Sequence, residues 1–347
     1  MRYASITGWG HYAPSRVVTN DDLAEVMDTS DEWIRSRSGI RERRFAEDGE
    51  TTATMSVQSG RLALERAGVA PDAVDLILVA TSSPDHLTPP VSSQVQEKLG
   101  AGPIGAMQIT VGCTGFVYAL VTAQQFIQNG TADTVLVIGT ELISRWLRWD
   151  HRSTAVLFGD GSGAVVVEAT ETPCGVVEHV LGSDGAGAEH IIVPAGGVAQ
   201  PTTHEALDAG DMTVKMNGRE VFKFATRVMG SALGTVLEKA EMTTDDVDLF
   251  IPHQANARII EYAANEYGLS PEKVVMNVDR YGNTSAASVP LALAEAFDDG
   301  RAQPGDLLAL VAFGAGLTWA AALVQLAPSL AALDAVERSD TAVTALS

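Results

Sequence analysis

Cysteine is nearly absent. The 347-residue chain carries two, Cys113 and Cys174, which excludes a small scaffold stapled by disulfides. Basic residues are also scarce, 23 against 44 acidic ones for a formal net charge of -21, so a broad embrace of nucleic acid or an anionic membrane is excluded. That charge serves solubility, and any basic docking patch has to be local. The start, Met1-Arg2-Tyr3-Ala4, lacks the apolar run of a signal peptide, and with so few cysteines this predicts a reducing, cytoplasmic setting. The uncharged stretch Leu307 to Ala327 has the length of a membrane helix, but Gly314-Ala315-Gly316 interrupts it. It reads as two buried strands joined by a tight turn. What is plentiful is apolar: 46% of the chain is hydrophobic, ample for a core, and the length predicts two fused units.

The chain repeats itself. Leu64-Glu65-Arg66-Ala67 followed by Asp72-Ala73-Val74-Asp75-Leu76 recurs 173 residues later as Leu237-Glu238-Lys239-Ala240 followed by Asp245-Asp246-Val247-Asp248-Leu249. The same offset relates Asp133, opening Thr134 to Ile138, to Asp306, opening Leu307 to Val311, and relates Ala119-Leu120 to Ala292-Leu293. Three segments in one register predict two copies of one alternating helix and strand unit. Runs such as Leu76 to Ala80, Val135 to Ile138 and Leu249 to Ile251 are short and wholly apolar, as strands covered by helices on both faces are. The expectation is a mixed α/β chain of two similar halves, residues 1–172 and 173–327, each a mixed sheet between helices, with 328–347 a C-terminal tail.

Cys113 lies in Val111-Gly112-Cys113-Thr114-Gly115-Phe116, where a short apolar stretch meets a helix-like run through a glycine-flanked turn. A thiol at a helix N-terminus is expected to be biased toward thiolate, and small neighbours let a carbonyl approach. Buried inert packing is the alternative, whereas Cys174 follows Pro173 at the junction of the halves and has no partner for catalysis there. His253, in Pro252-His253-Gln254-Ala255-Asn256, follows a buried strand at the carboxyl edge where open α/β sheets bind ligands. The other six histidines, His11, His86, His151, His179, His190 and His204, lie in polar or turn-rich sequence. Asn283, in Tyr281-Gly282-Asn283-Thr284-Ser285, precedes a helix, and its bland role is a cap. The 173-residue offset maps Cys113 onto Ala286, so two abutting halves bring Cys113, His253 and Asn283 toward one cleft. Phe313-Gly314-Ala315-Gly316 is a small-residue turn whose backbone N–H groups can serve an oxyanion hole with that of Cys113.

These segments, with Asp28 to Ile34, Gly39-Ile40-Arg41-Glu42-Arg43, Phe158-Gly159-Asp160-Gly161 and Phe313 to Trp319, resemble the β-ketoacyl-acyl-carrier-protein synthase III family over residues 1 to about 326. Gly159 to Gly163 has a phosphate-loop look but reads as a turn between strands. The resemblance implies a thiolase-like fold, a homodimer, and decarboxylative condensation of an acyl-CoA with malonyl-acyl-carrier protein, without metal or any cofactor beyond the acyl-CoA substrate. It implies that Cys113 carries the acyl group, that His253 and Asn283 hold the enolate, and that the N–H groups of Cys113 and Ala315 form the oxyanion hole. Thr29, Trp33, Arg37, Arg152, Gly218, Phe222 and Asn256 are its coenzyme A residues, with an indole and a guanidinium able to sandwich the adenine. The competing reading of Thr29 is a capping box with Glu32. Thr88, in Asp85 to Pro90, corresponds to an acyl-pocket residue that reaches across the dimer. Lys215, Arg219, Lys223, Arg227 and Arg258 are the candidate carrier-protein patch. The order Cys, His, Asn also suits a papain-like protease, but that family's cysteine signature is missing and a duplicated α/β chain has no place in it. A thiolase-fold ketosynthase or ester-forming acyltransferase of secondary metabolism is the nearer alternative, and a non-catalytic carrier-binding subunit a third.

Overall fold

The computed structural model describes residues 1–330; the tail expected over 328–347 therefore lies almost wholly outside the described residues. The apolar runs are strands. One sheet holds β1 (Tyr3–Tyr12), β2 (Leu76–Ala80), β3 (Gly105–Ile109), β4 (Thr134–Leu142) and β5 (Asp160–Thr170) in the order β1-β5-β4-β2-β3. The other holds β6 (Gly175–Ser183), β7 (Leu249–Pro252), β8 (Leu307–Gly314) and β9 (Thr318–Gln325) in the order β7-β8-β9-β6. In the first, β2 runs parallel to β3 and β4, whereas β5 is antiparallel to β4 and β1. In the second, β7 and β8 are parallel and β9 is antiparallel to β8 and β6. The path β1-β5-β4-β2 thus recurs as β6-β9-β8-β7, with β3 the additional edge strand. Both sheets are mixed, and the stretch that had the length of a membrane span is the antiparallel pair β8 and β9. No helix among the described residues is long and apolar enough to cross a membrane.

Helices α1 (Asp31–Ser38), α2 (Thr52–Ala67), α3 (Val91–Leu99), α4 (Gly115–Gln128), α5 (Gly218–Lys239), α6 (Ala257–Glu266) and α7 (Ser288–Asp298) supply the layers. Successive strand residues point to opposite faces, and here each face meets a different helix layer. Leu76 and Leu78 of β2, Val135 and Val137 of β4, and Leu308 and Leu310 of β8 share one core with Phe116 and Leu120 of α4 and Leu293 and Phe297 of α7. The alternate residues Ile77, Val79, Leu136 and Ile138 pack under α2 and α3, and Ala309, Val311 and Phe313 under α5 and α6. Helices α4 and α7 are therefore sandwiched between the sheets, which is why both are apolar nearly all round.

The sheets lie close on those helices because the strands carry glycine at the crossings. A Cβ on Gly139 would stand 2.3 Å from the Ala286 carbonyl oxygen, and one on Gly163 would stand 2.5 Å from the Leu291 nitrogen. Gly159 to Gly163 is no turn between strands. Its last four residues open β5, and their smallness serves this packing. Gly163→Ala is accordingly expected to cost about 1–3 kcal/mol in denaturant unfolding, whereas Gly185→Ala, which would meet nothing within 4 Å, should leave the midpoint where it is.

Candidate active site

Three chain segments meet at one cavity of about 340 Å³, whose lining includes Cys113, His253, Asn283, Phe158, Phe313 and Gly314 together with Trp33, Arg37, Gly218, Phe222 and Asn256. Arg37 and Gly218 are exposed while His253 and Asn283 are buried, so the cavity leads from the surface to the buried polar groups. Cys113 stands just before α4, in a turn made by Gly112 at φ 56 and capped at Thr114, whose hydroxyl donates to the Val111 carbonyl at 2.7 Å. Gly314 packs on it so closely that a Cβ there would lie 2.6 Å from the Cys113 nitrogen. The backbone N–H groups of Cys113 and Ala315 both bear on the thiol.

The expected bias toward thiolate is opposed by burial. Burial pushes the Cys113 thiol up to about 12, outweighing the Ser285 hydroxyl and the two backbone N–H groups, which favour the anion. Desolvation dominates because the thiolate would sit in a low-dielectric pocket with the Glu141 carboxylate adding repulsion. The same burial pushes His253 down to about 3, so the imidazole is neutral and carries one proton. Its Nδ1 is buried without a partner among the described residues. With Nδ1 enclosed, Nε2 is the nitrogen left for the cavity, and in the tautomer protonated there the imidazole is a donor. The ring stands edge-on to Phe313, with centroids 5.2 Å apart.

Asn283 does act as the turn cap that its context suggested, and this fixes its free end. Its Oδ1 accepts from the Ser285 N–H at 2.9 Å, and its backbone N–H and C=O pair with Leu157 and Gly159. With the oxygen occupied, the amide NH₂ is the group left for the cavity. Gln254 ties the two donor segments together. Its Nε2 donates to the carbonyls of Pro252 and Val275, its Oε1 accepts from the N–H groups of Asn277 and Val278, and its own N–H reaches Ser288 Oγ at 2.6 Å.

The coenzyme candidates gather less uniformly. Trp33 and Arg37 sit on α1, which Ser30 caps by accepting from the Trp33 N–H. The capping box assigned to Thr29 is therefore wrong, and its hydroxyl is buried without a partner among the described residues. Arg152 lies directly over Trp33 at 4.4 Å, held by a 2.7 Å bond to the Asp28 carbonyl. An aromatic ring between them needs about 7 Å, so the expected adenine sandwich is closed until Arg152 swings out. Gly218 begins α5, Phe222 lies beneath Arg258 at 5.7 Å, and Asn256 caps α6 while donating to the Arg37 carbonyl at 3.0 Å. In the basic patch, Lys215 pairs with Asp211 and Lys223 with Glu220, which leaves Arg219, Arg227 and Arg258 without an ion pair among the described residues. Thr88 is exposed and lies outside the cavity lining of its own chain. Cys174 is buried in the core with a raised thiol pKa, caused by burial.

Two residues escaped the sequence reading. Glu141 is fully buried in β4 and accepts from the N–H groups of Ser82 and Ser83 and the hydroxyls of Thr81, Ser83 and Ser285. Ser285 adjoins Cys113, Asn283 and Glu141 at once. The available signal was the lone acid inside Thr134 to Leu142, a strand buried at every position.

Comparison with known proteins adds independent findings. Residues 107–185 match the family described as 3-oxoacyl-(acyl-carrier-protein) synthase III, and residues 237–326 match its C-terminal domain. A β-ketoacyl-(acyl-carrier-protein) synthase III of Symbiobacterium thermophilum is 49% identical over 92% of this chain and 97% of its own. The crystal structure of the synthase III of Thermus thermophilus is 44% identical with a TM-score of 0.86, covering 94% of this chain and all of the other. That of Aquifex aeolicus is 42% identical with the same score, over 93% and 99%. The thiolase-like fold expected from sequence is thus the fold of the chain.

Because the Cys113 thiol is held up by burial, alkylation by iodoacetamide should rise about tenfold per pH unit from pH 7 to 9 without levelling. A plateau below pH 8 in the measured rates contradicts this account of the site.

Proposed function

The chain belongs to the β-ketoacyl-acyl-carrier-protein synthase III family, and from that membership we propose that it initiates fatty-acid synthesis. The enzyme joins an acyl group from acyl-CoA to the malonyl unit of malonyl-acyl-carrier protein, releasing carbon dioxide and coenzyme A. One observation supports the reading most: a cysteine, a neutral histidine and an oriented asparagine amide line the same buried end of one cavity.

The Cys113 sulfur attacks the acyl-CoA carbonyl, the carbon-sulfur bond to the coenzyme breaks, and the thiol proton leaves with it as the free coenzyme thiol. The transfer of that proton accompanies attack, since the thiol is scarcely ionised beforehand. In the second half-reaction the malonyl carbon-carboxylate bond breaks, carbon dioxide departs, and the electron pair is held as an enolate on the thioester oxygen. His253 and Asn283 donate to that oxygen. The enolate carbon then attacks the acyl-Cys113 carbonyl, whose oxyanion the N–H groups of Cys113 and Ala315 receive, and collapse expels the Cys113 thiolate, which regains a proton from solvent. A histidine that stays neutral suits a donor: it stabilises new negative charge without titrating between pH 5 and 8. Every group used in these steps is a side chain or backbone N–H of the chain.

Coenzyme A is assigned to Thr29, Trp33, Arg37, Arg152, Gly218, Phe222 and Asn256, with Arg152 moving to admit the adenine. Docking of the acidic carrier falls to Arg219, Arg227 and Arg258, the unpaired members of the basic patch. The halves 1–172 and 173–327 are taken as the duplicated unit, a homodimer pairs through the free edge of β3, and the enzyme works in the cytoplasm.

The two half-reactions separate the roles. Cys113→Ala is expected to abolish acyl transfer and Cys174→Ala to leave it near normal, read by intact-protein mass after exposure to acyl-CoA. His253→Ala and Asn283→Ala should still form acyl-Cys113 yet lose on the order of a hundredfold to a thousandfold in carbon dioxide release. Normal release from either variant removes that residue from the enolate site.

Acyl preference depends on the partner subunit. If Thr88 reaches across a dimer, its small side chain leaves room for branched or medium chains, each added methylene worth roughly 0.8 kcal/mol when buried. Thr88→Phe should shift preference toward acetyl-CoA, and sedimentation should give a dimer at micromolar concentration. A monomer, or a parent enzyme that already prefers acetyl-CoA, rules this pocket out.

A further inference from the structure

Ser285 holds a left-handed backbone at φ 51, a conformation that L residues with a Cβ adopt only at a cost. The duplication shows what the cost serves. The residue 173 positions earlier is Gly112, at φ 56, so the two halves build the same turn ahead of α4 and α7. Glycine takes that conformation freely in the first half. In the second half serine stands there, and its side chain has a specific use: Oγ donates to Glu141 Oε1 at 3.0 Å while the same residue's N–H holds Asn283 Oδ1 at 2.9 Å. Glu141 corresponds by the same offset to Gly314, the residue packed on Cys113. Where the first turn faces an open glycine, the second faces a buried carboxylate.

That carboxylate is not a passive filler. Its Oε1 accepts from the Ser82 N–H at 3.0 Å and its Oε2 from the Ser83 N–H at 3.1 Å and the Ser83 hydroxyl at 2.5 Å, so it is locked to the loop after β2. Its remaining Oε1 contact is the Ser285 hydroxyl, which ties that loop to the turn holding Asn283. We infer that Glu141 and Ser285 form a positioning pair that fixes the Asn283 amide for the decarboxylation step, Glu141 acting through Ser285. This rests on the role of Asn283 proposed above. Neither residue is among those lining the cavity, and although the Ser285 hydroxyl also bears on the Cys113 thiol, the role inferred for both is that of positioning residues.

The test uses the purified full chain. Glu141→Gln keeps the shape but sets an NH₂ against a backbone N–H in either orientation, Ser82 in one and Ser83 in the other, so the anchor is spoiled. Carbon dioxide release from malonyl-acyl-carrier protein should fall about tenfold to a hundredfold, the range expected for a misplaced catalytic group. Alkylation of Cys113 at pH 8 should be at least as fast as in the parent, because the carboxylate opposes thiolate formation. A general loosening of the fold would also expose the buried thiol, so the unfolding midpoint is measured alongside and has to match that of the parent. Ser285→Ala should lower release in the same way, and Glu141→Gln with Ser285→Ala should lose no more than the worse single variant. Release within twofold of the parent in Ser285→Ala, or in a folded Glu141→Gln, overturns the proposal, and additive losses overturn the route through Ser285. If Glu141→Gln does not fold, Ser285→Ala decides alone. Asn283→Ala is the reference: if it releases carbon dioxide normally, the reading of Asn283 has failed, and if it alone is impaired, only the positioning pair has.

Discussion

The close seating of two sheets on one pair of buried helices is the constraint from which the rest follows. Helices α4 and α7 share a core with the inward residues of both sheets, and Gly139 and Gly163 remove the side chains that would hold β4 and β5 away from α7 and the turn before it. Each helix therefore starts at a fixed depth. Cys113 stands before one start and Asn283, through Ser285, before the other, while His253 leaves β7 beside them. A site assembled from residues 113, 253 and 283 needs no long-range adjustment, because duplicated elements carry all three to the same level.

Burial then sets the electrical character of the site. The same desolvation that pushes the Cys113 thiol up to about 12 pushes His253 down to about 3, so both resting groups are neutral. A neutral site lined by donors favours reactions whose negative charge appears only in transit. In the proposed reaction the Ala315 and Cys113 N–H groups, the imidazole and the Asn283 amide are the donors, and a site that holds them in place beforehand needs little reorganisation as an enolate or oxyanion forms. The cost falls on the nucleophile, whose proton has to leave as the acyl group arrives.

The fold was legible where periodicity and burial agree. Leu76 to Ala80 and Leu249 to Ile251 read as strands covered on both sides because every residue in them is apolar, and the 173-residue offset predicted that they occupy like places. That Cys113, His253 and Asn283 approach one cleft was legible through their segments and the offset, and the three do line one cavity. What could not be read was the balance of opposed effects: the helix start at Gly115 argues for thiolate, but the depth of Cys113 depends on Gly314 and on packing from the other half. Ser30 rather than Thr29 caps α1 for a similar reason, since either hydroxyl fits the local sequence and only the helix register decides. Glu141 escaped notice because its five donors come from loops distant in sequence.

Duplication also explains why only one of two equivalent positions holds the proposed nucleophile. Beside the α4 start the chain has Gly112, Cys113 and Gly314; beside the α7 start it has Ser285, Ala286 and Glu141 in the same three places. At the first, two glycines clear space around the thiol, and the backbone N–H of the residue after Gly314 is free to bear on sulfur. At the second, the space is filled by a carboxylate whose bonds rigidify the turn holding Asn283. A carboxylate at position 314 would repel both a thiolate and an oxyanion, and a glycine at 141 would leave the strained Ser285 turn without its anchor. The two poles are thus chemically incompatible versions of one turn. The asymmetry between them makes one pole reactive and the other supporting.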